Sequence, residues 1–301
     1  MEKNNLFDLH CDTLGVLYRS GREGCEIKTQ LDIEKCAKSF RAYSQVFAVY
    51  SPDRLSPSEA WDNFIYTRDK ISSHKFPENV TPYLSIEGGK LLDGKYERLD
   101  TIKNSGVCIL TLVWGGICCV GGAHGTDIGF TDFGRDVLHY CLENGIVPDV
   151  SHASDKMFRE TAEICKKYSK PFIASHSCSR AIRKHTRNLT DDMFKAVAES
   201  GGIVGISLAP SHLSASGNAD AGDVARHIKH FLSLGYESAV ALGCDYDGIE
   251  TPPTGLESPE RLAEFKTLLK ANGISNGTAD GIFYNNARAF FETNNIKPIN
   301  A

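Results

Sequence analysis

Residues 5–12, NLFDLHCD, form the first of several short strand-like runs, most of which are nearly continuous in apolar residues, and these runs decide the fold. A strand that is covered on both faces by other elements has this composition. Comparable runs follow at 43–50, 80–88, 106–114, 146–152, 171–177, 202–209 and 238–245. Segments with helical periodicity separate them, including 154–170, 190–200, 220–234 and 258–270. Eight such repeats predict an α/β fold, a (β/α)8 TIM barrel that spans residues 1–301 as a single domain.

Two local features bear on this fold. Ser56-Pro57-Ser58-Glu59 combines an N-cap serine, a proline at the first helical position and a capping-box glutamate, which predicts a helix start. The alternative architecture is a doubly wound open sheet, which the same alternation permits. The glycine pairs at 115–116 and 121–122 lack the spacing of a dinucleotide-binding fingerprint. The barrel therefore remains the predicted fold.

Composition excludes several classes of protein and partner. The chain has 301 residues, 33 Lys and Arg against 38 Asp and Glu, a net charge of −5 and 41% hydrophobic residues, as in a soluble globular protein. It has no run of Lys or Arg that would bind nucleic acid or an anionic membrane surface. The uncharged segment 106–123 contains five glycines, which argues against membrane insertion.

Cysteine usage and the N-terminus suggest a compartment. The ten cysteines include no CxxC pair and do not follow the regular spacing of a disulfide scaffold, so we expect buried free thiols. The first residues, MEKNNLFDLHCDTL, contain no apolar stretch of signal-peptide length. A cytoplasmic location is the simplest expectation.

Polar residues that can bind metal recur where the predicted strands end. His10 and Asp12 lie two residues apart on the first strand, so both point to the same face. Alone they would more simply be a hydrogen-bonded pair, and a single buried histidine is usually a satisfied core residue. Four more candidates stand at the ends of other strands, namely Glu87, His152, His176 and Asp245. Their convergence on one rim would bury several charges, which two bound cations would compensate.

These positions and their neighbours resemble the zinc-dependent membrane (renal) dipeptidases and their soluble bacterial relatives, through almost the whole chain. The matching motifs are Asp8 to Asp12, Glu87-Gly88-Gly89, His152 in Ser-His-x-Ser, His176 in Ser-His-Ser, Arg187 in Arg-Asn-Leu-Thr-Asp-Asp and Asp245 in Asp-Tyr-Asp-Gly. The resemblance implies two Zn²⁺ per chain. His10 and Asp12 would bind one ion, His152 and His176 the other, and Glu87 would bridge them.

The resemblance also implies an activity: a hydroxide that bridges the metals hydrolyses the peptide bond of unblocked dipeptides, L-L and, as an open possibility, L-D. Asp245 would move the proton to the leaving amine, or alternatively only orient a histidine ligand. Arg187 would bind the substrate carboxylate, or alternatively be solvated on its loop. The dipeptide is the expected partner, and the resemblance makes a homodimer plausible.

One position departs from the family pattern. Renal-type members have a substrate-binding histidine two residues after the Leu-Thr-Leu of the fourth strand, where this chain has Trp114. His124 in the following glycine-rich loop is a candidate for the same space, with a solvated loop histidine as the alternative. Trp114 is a candidate wall of the substrate pocket or a rim hydrophobe.

This departure leaves two alternative functions open. One is a metal-dependent hydrolase of another small amide: a D-residue dipeptide, a β-lactam or an N-acyl amino acid. The other is a non-catalytic, metal-stabilised binding protein, which the presence of both Arg187 and Asp245 disfavours. A nuclease-like metal barrel is disfavoured, because such barrels begin with His-x-His, whereas this chain has His10-x-Asp12.

Overall fold

The computed structural model describes residues 3–23 and 28–299, and within them seven strands form one parallel sheet. The strands are β1 (Asn5–Cys11), β2 (Ala42–Tyr50), β3 (Val80–Glu87), β4 (Val107–Thr111), β5 (Val147–Asp149), β6 (Val204–Ile206) and β7 (Val240–Leu242). Their order is β5-β4-β3-β2-β1-β7-β6, and every pair is parallel. The α/β class with a parallel sheet is confirmed.

Helices connect the strands and cover the outer face of the sheet. They are α1 (Thr13–Glu23), α2 (Ile33–Ser39), α3 (Pro57–Ser73), α4 (Glu97–Asn104), α5 (Asp132–Asn144), α6 (Asp155–Tyr168), α7 (Asp191–Glu199), α8 (Pro210–Leu213), α9 (Ala221–Ser233), α10 (Leu262–Ala271), α11 (Asn276–Asp280) and α12 (Asn286–Thr293). The four predicted segments correspond to α6, α7, α9 and α10, the last preceded by a 3₁₀ turn at Pro259–Arg261. The capping box is present at the start of α3. Within the described ranges, no helix is long and apolar enough to cross a membrane.

The sheet is curled around an inner apolar core. This core takes side chains from β1 to β5 and from β7, with Ile203 contributed from just before β6, and helix α12 adds further aromatic side chains. Its members include Phe7, Leu9, Val46, Tyr83, Ile109, Val147, Ile173, Ile203, Ala241, Phe290 and Phe291. A second, larger cluster lies between the strands and the helices. Because the strands are buried on both faces, their sequences are apolar rather than alternating.

The predicted strand at 171–177 is not a strand element, so the expected eight strands are seven in the structure. The segment still lies between the edge strands β5 and β6, where Ile173 makes one parallel bridge to Asp149 and Ala174 makes one to Val204. On the β5 side the ladder stops because Ser175 N donates to the side-chain Oδ1 atom of Asp149. On the β6 side it is interrupted at His176, whose N–H donates to Ser151 Oγ, and one further backbone bond runs from Ser177 N to the carbonyl oxygen of Gly205.

The segment approaches β6 closely because β6 has a glycine at its centre. A Cβ on Gly205 would collide with the carbonyl oxygen of Ser175. The same oxygen leaves no room for a Cβ on Gly243, directly after β7. These glycines let the polar residues at 175–177 lie at the carboxyl ends of the neighbouring strands.

The cysteines that the structure describes are free thiols, as expected. Seven of them are buried, and Cys118 and Cys119 are partly exposed. Cys25 lies outside the described residues.

Candidate active site

A cavity of about 380 Å³ lies at the carboxyl ends of the strands. Its volume is within the usual range for small-molecule sites. The residues that line it are Asp12, Gly15, Val16, Tyr50, Glu87, Trp114, Gly115, His124, His152, His185, Arg187, Ala209, His212, Asp245, Asp247, Gly248 and Ile249. The carboxyl ends of barrel strands are where enzymes with this architecture bind substrates.

Glu87, the last residue of β3, lies at the centre of the predicted ligand set. Its Oε1 atom is 2.8 Å from His152 Nε2 and 3.3 Å from His176 Nε2. The same oxygen is 3.6 Å from His10 Nε2, which is 3.7 Å from Asp245 Oδ1. Two groups of possible metal ligands, His10, Asp12 and Glu87 on one side and Glu87, His152 and His176 on the other, therefore share Glu87. A third group, His10, His176 and Asp245, overlaps both.

The hydrogen bonds of His152 determine which of its nitrogens carries the proton. Its Nδ1 atom lies 2.9 Å from the carbonyl oxygen of Trp114. A carbonyl oxygen can only accept, so Nδ1 donates. In the neutral ring, Nε2 then presents a lone pair to Glu87.

The tautomer of His176 follows from a longer chain of hydrogen bonds. The Ser175 hydroxyl lies 2.6 Å from Asp149 Oδ2 and 2.8 Å from His176 Nδ1. An ionised carboxylate cannot donate, so the hydroxyl donates to Asp149 and accepts from His176 Nδ1. The Nε2 atom of His176 is therefore also a lone-pair donor, and it lies 3.0 Å from Nε2 of His152.

These contacts fit a bound cation. Two imidazole lone pairs and a carboxylate oxygen face one another, and no proton lies between them when the rings are neutral. His10 Nε2 is buried, and it has no hydrogen-bond partner among the residues that the structure describes. Nitrogen and carboxylate donors of this kind are those that zinc prefers. The residues therefore fit the metal dependence that the sequence predicts.

The electrostatics of the cluster agree with this fit. Burial lowers the pKa of His10, but the carboxylates of Glu87, Asp12 and Asp245 outweigh it and raise the pKa to about 10. Burial, and then the charge of Arg187, lowers the pKa of His152 to about 4. The carboxylates thus favour a positive charge at the position of His10. His152 stays neutral, as a metal-binding histidine must.

Asp149, which the sequence reasoning missed, supports the ligand set. It is fully buried, and its carboxylate accepts hydrogen bonds from the Thr111, Ser151 and Ser175 hydroxyls at 2.6 Å each. Backbone N–H groups of Ser151 and Ser175 donate to it as well. Burial raises the pKa of Asp149, but these bonds and the nearby His176 outweigh it, so the pKa is below its ordinary value. A carboxylate behind a metal-binding histidine orients the ring and increases its basicity.

We expect Asp149→Asn to weaken zinc binding about 10–100-fold, because an amide reverses one of the contacts that fix the orientation of His176. Ser175→Ala, which removes the hydroxyl between the two residues, should weaken binding in the same direction. Competition with a zinc-sensitive dye measures the affinity, and circular dichroism reports folding. Thr161→Val, a change at a buried hydroxyl within α6, is the matched control. Unchanged zinc affinity in both site variants would contradict this role.

Asp245 follows β7, and its position beside the predicted metal ligands depends on backbone geometry. Its φ angle is 65°, in the left-handed region, and its N–H donates to the carbonyl oxygen of His10 at 3.0 Å. Burial is the main reason why the pKa of its carboxyl is raised to about 7. Gly248 packs against this carboxylate, and a Cβ there would collide with Asp245 Oδ1 and Asp12 Oδ2.

We therefore expect Gly248→Ala to lower kcat/KM about 100-fold, because the added methyl group displaces two carboxylates by a fraction of an ångström or more. Gly277→Ala is the control, since a Cβ there would have only Ser275 Oγ nearby, at 3.9 Å. Both variants should fold, as measured by thermal unfolding. Equal activity in both would show that the loop adapts and that Gly248 is not required.

Arg187 lies in the same cavity and is buried. Its Nη2 atom is 3.0 Å from His152 Nε2 and 3.4 Å from the carbonyl oxygen of His176. Its Nη1 atom is buried without a hydrogen-bond partner in residues 3–23 and 28–299. The loop position therefore does not leave this arginine solvated, and its charge can act on a bound ligand.

Trp114 and His124, the two substrate-binding candidates from the sequence, both line the cavity. The Trp114 ring is 5.0 Å from the Tyr50 ring and 5.8 Å from the His152 ring, measured between centroids, and so forms part of the wall. The His124 ring is 6.3 Å from His152, and its Nδ1 atom lies 3.0 Å from Thr186 Oγ1. Sequence reasoning missed two other histidines in this cavity, His185 and His212, which lie in loop and short-helix segments without a periodic pattern.

Comparisons with known proteins agree with the site. A family model described as membrane dipeptidase (peptidase family M19) matches residues 59–298. A Klebsiella pneumoniae protein, described as an uncharacterized protein in the pqqA 5′ region, is 30% identical over 213 residues, which cover 67% of this chain and 77% of that protein. Dipeptidase 3 of Mus musculus is 29% identical over 218 residues, which cover 69% of this chain but only 43% of the mouse protein.

A solved structure shows the same fold. It is a metallopeptidase from Rhodobacter sphaeroides liganded with a phosphinate mimic of the dipeptide L-Ala-D-Ala. It has a TM-score of 0.87 and 22% identity, over 97% of this chain and 99% of that one. The resemblance predicted from the sequence motifs is confirmed by the family match, which covers most of the chain. The chain belongs to the membrane dipeptidase family, peptidase family M19, and is a metallopeptidase of the dipeptidase type.

Proposed function

We propose that this protein is a binuclear zinc dipeptidase that hydrolyses unblocked dipeptides, with L-L and L-D forms as its candidate substrates, within a single catalytic domain that closes as a (β/α)8 barrel. One observation carries the proposal: Glu87 Oε1 lies within 3.6 Å of the Nε2 atoms of three histidines. A carboxylate shared by two ligand groups is the arrangement that holds two cations side by side. His10, Asp12, Glu87, His152 and His176 would hold the two Zn²⁺ ions.

Bound zinc would supply an activated water nucleophile and polarise the substrate carbonyl. The chain supplies the remaining functions. Asp245, at the edge of the cluster, would take a proton and return it to the leaving amine. Arg187 would bind the terminal carboxylate through charge-assisted hydrogen bonds, which selects short peptides over proteins. Burial of these groups keeps competing water away from them.

The aromatic wall and His124 would define the rest of the substrate pocket. Trp114 and Tyr50 offer apolar surface for a substrate side chain. Burial, and then the charge of Arg187, lowers the pKa of His124 to about 4, so its neutral ring can form a hydrogen bond with the substrate. The cytoplasmic location and the homodimer remain predictions.

The test is ninhydrin-detected hydrolysis of L-L and L-D dipeptides by zinc-loaded and chelator-treated protein, with metal content measured by atomic absorption. We expect cleavage only with zinc, two ions per chain, and recovery when zinc is added back. N-acetylated and C-amidated dipeptides are controls for the requirement for free termini. If all dipeptides stay intact at full zinc occupancy, dipeptidase activity is ruled out, and β-lactams and N-acyl amino acids become the next substrates to test.

A further inference from the structure

One wall of the cavity carries a row of imidazoles that the proposed reaction does not use fully. We call His124, His185 and His212 the imidazole wall. The ring centroids are 6.2 Å apart between His124 and His185, and 5.0 Å apart between His185 and His212. All three residues line the cavity. The loop after β4, the segment that follows residues 171–177 and helix α8 contribute one residue each.

The wall and the adjacent Arg187 contain polar atoms that the protein leaves without partners. His212 Nδ1 and Arg187 Nη1 are buried and make no hydrogen bond with described residues. The Arg187 backbone N–H donates to His185 Nδ1 at 3.2 Å, which leaves the proton of the neutral His185 ring on Nε2. Buried polar groups in proteins nearly always have a partner. In a ligand cavity, the ligand is the natural partner.

The charges around the cavity differ from wall to wall. Asp12, Glu87 and Asp245 lie on the side where the metal ligands cluster. The charge of Arg187 acts on each residue of the imidazole wall. Burial is the main reason why the pKa of His124 and the pKa of His212 are lowered, and the charge of Arg187 is the second. Arg183 also acts on His185, and its guanidinium donates to two backbone carbonyl oxygens. The imidazole wall is therefore the electropositive side of the cavity.

We propose that the imidazole wall binds a second carboxylate of the substrate, so that the enzyme prefers dipeptides with Asp or Glu as the C-terminal residue. This inference rests on the proposed function. If Arg187 binds the main-chain carboxylate, the side chain of that same residue extends from the neighbouring carbon atom. His185 and His212 are the polar groups next to Arg187 on this side. A side-chain carboxylate would accept from their N–H groups, and it would compensate the surrounding positive charge.

The experiment compares kcat/KM of the zinc-loaded enzyme for matched substrate pairs: Ala-Glu with Ala-Gln, and Ala-Asp with Ala-Asn. Ala-Ala is the reference. Each pair keeps its shape and changes only the charge, so the ratio isolates recognition of the carboxylate. We expect the acidic member of at least one pair to be favoured about ten-fold or more.

A variant then connects the preference to the wall. His212→Leu removes an Nδ1 atom that has no hydrogen-bond partner in the described part of the chain, and it should reduce the acid-to-amide ratio at least about three-fold. His139→Leu is the control, because His139 lies on α5, where its Nδ1 atom contacts the Tyr168 hydroxyl, and it should keep the wild-type ratio.

The outcomes separate the two proposals. Cleavage of Ala-Ala with acid-to-amide ratios near one in the unmodified enzyme overturns the second-carboxylate site and leaves the dipeptidase function intact. If none of the five dipeptides is cleaved at full zinc occupancy, the proposed function is overturned, and this inference is overturned with it. A strong preference for acidic residues that persists in His212→Leu overturns the assignment of His212.

Discussion

Asp245→Asn is expected to lower kcat about 10²–10⁴-fold while the protein keeps its zinc, because the amide cannot take up and return a proton. The exchange is nearly isosteric, and asparagine tolerates the left-handed backbone conformation that Asp245 adopts. The backbone N–H of residue 245 should continue to donate to His10. The expected loss is therefore chemical rather than structural. Steady-state kinetics together with zinc analysis of the same preparation measure it.

Asp247→Asn is the matched control for this prediction. Asp247 is two residues away in the same loop and also has a left-handed φ angle, of 67°. Its carboxylate accepts from the Thr13 hydroxyl and from the Gln30 backbone N–H, so it ties two segments together. We expect this variant to lose stability and less than about ten-fold in kcat.

The two other results for Asp245→Asn have definite meanings. Loss of zinc together with activity would make Asp245 a metal ligand, in line with its place in the group formed with His10 and His176. Turnover at the wild-type rate would exclude the proton-transfer role.

Arg187→Met is the other change with a large expected effect, a decrease of about 10²–10³-fold in kcat/KM for unblocked dipeptides. The charged group is buried, so its bond to a substrate carboxylate is poorly screened by salt. Methionine keeps much of the side-chain volume but provides no donor. The measurement is kcat/KM for Ala-Ala and for its C-terminal amide.

The amide substrate shows which interaction has been lost. The wild-type enzyme should disfavour the amide strongly, whereas Arg187→Met should treat the two substrates almost alike. Arg180→Met controls for removal of a nearby positive charge, because Arg180 pairs with Asp155 at 2.7 and 2.8 Å and does not line the cavity. Undiminished preference for the free carboxylate in Arg187→Met would assign recognition to another residue.

The positions at the strand ends could be predicted because they follow from local rules. Strand alternation placed His10 and Asp12 together, and the common direction of parallel strands placed Glu87, His152 and His176 at one edge. The doubly wound alternative fails because β7 lies next to β1 and β6 lies beyond β7, so successive strands follow one direction across the sheet, whereas a doubly wound sheet reverses direction. Apolar runs alone do not distinguish these two arrangements.

The remaining features depend on contacts between distant segments. Asp149 stands three residues before His152, but its importance comes from Ser175 and Thr111, which no spacing rule connects to it. The prediction of a strand at 171–177 was wrong for the same reason. Two of its backbone N–H groups, those of Ser175 and His176, donate to side chains of β5 and the adjoining loop instead of to a neighbouring strand. His212 enters the cavity only because helix α8 follows β6.

Pairing of β1 with β7 has a consequence for how the protein is synthesised. His10 and Asp12 are synthesised before β2 to β6, whereas β7 and Asp245 are synthesised after these strands. Contacts between such distant segments form slowly, because the intervening chain must be ordered first. A nascent chain that ends before β7 would lack one of the two strands that flank β1, together with Asp245. The candidate site should therefore be complete only after β7 has been synthesised and has paired with β1.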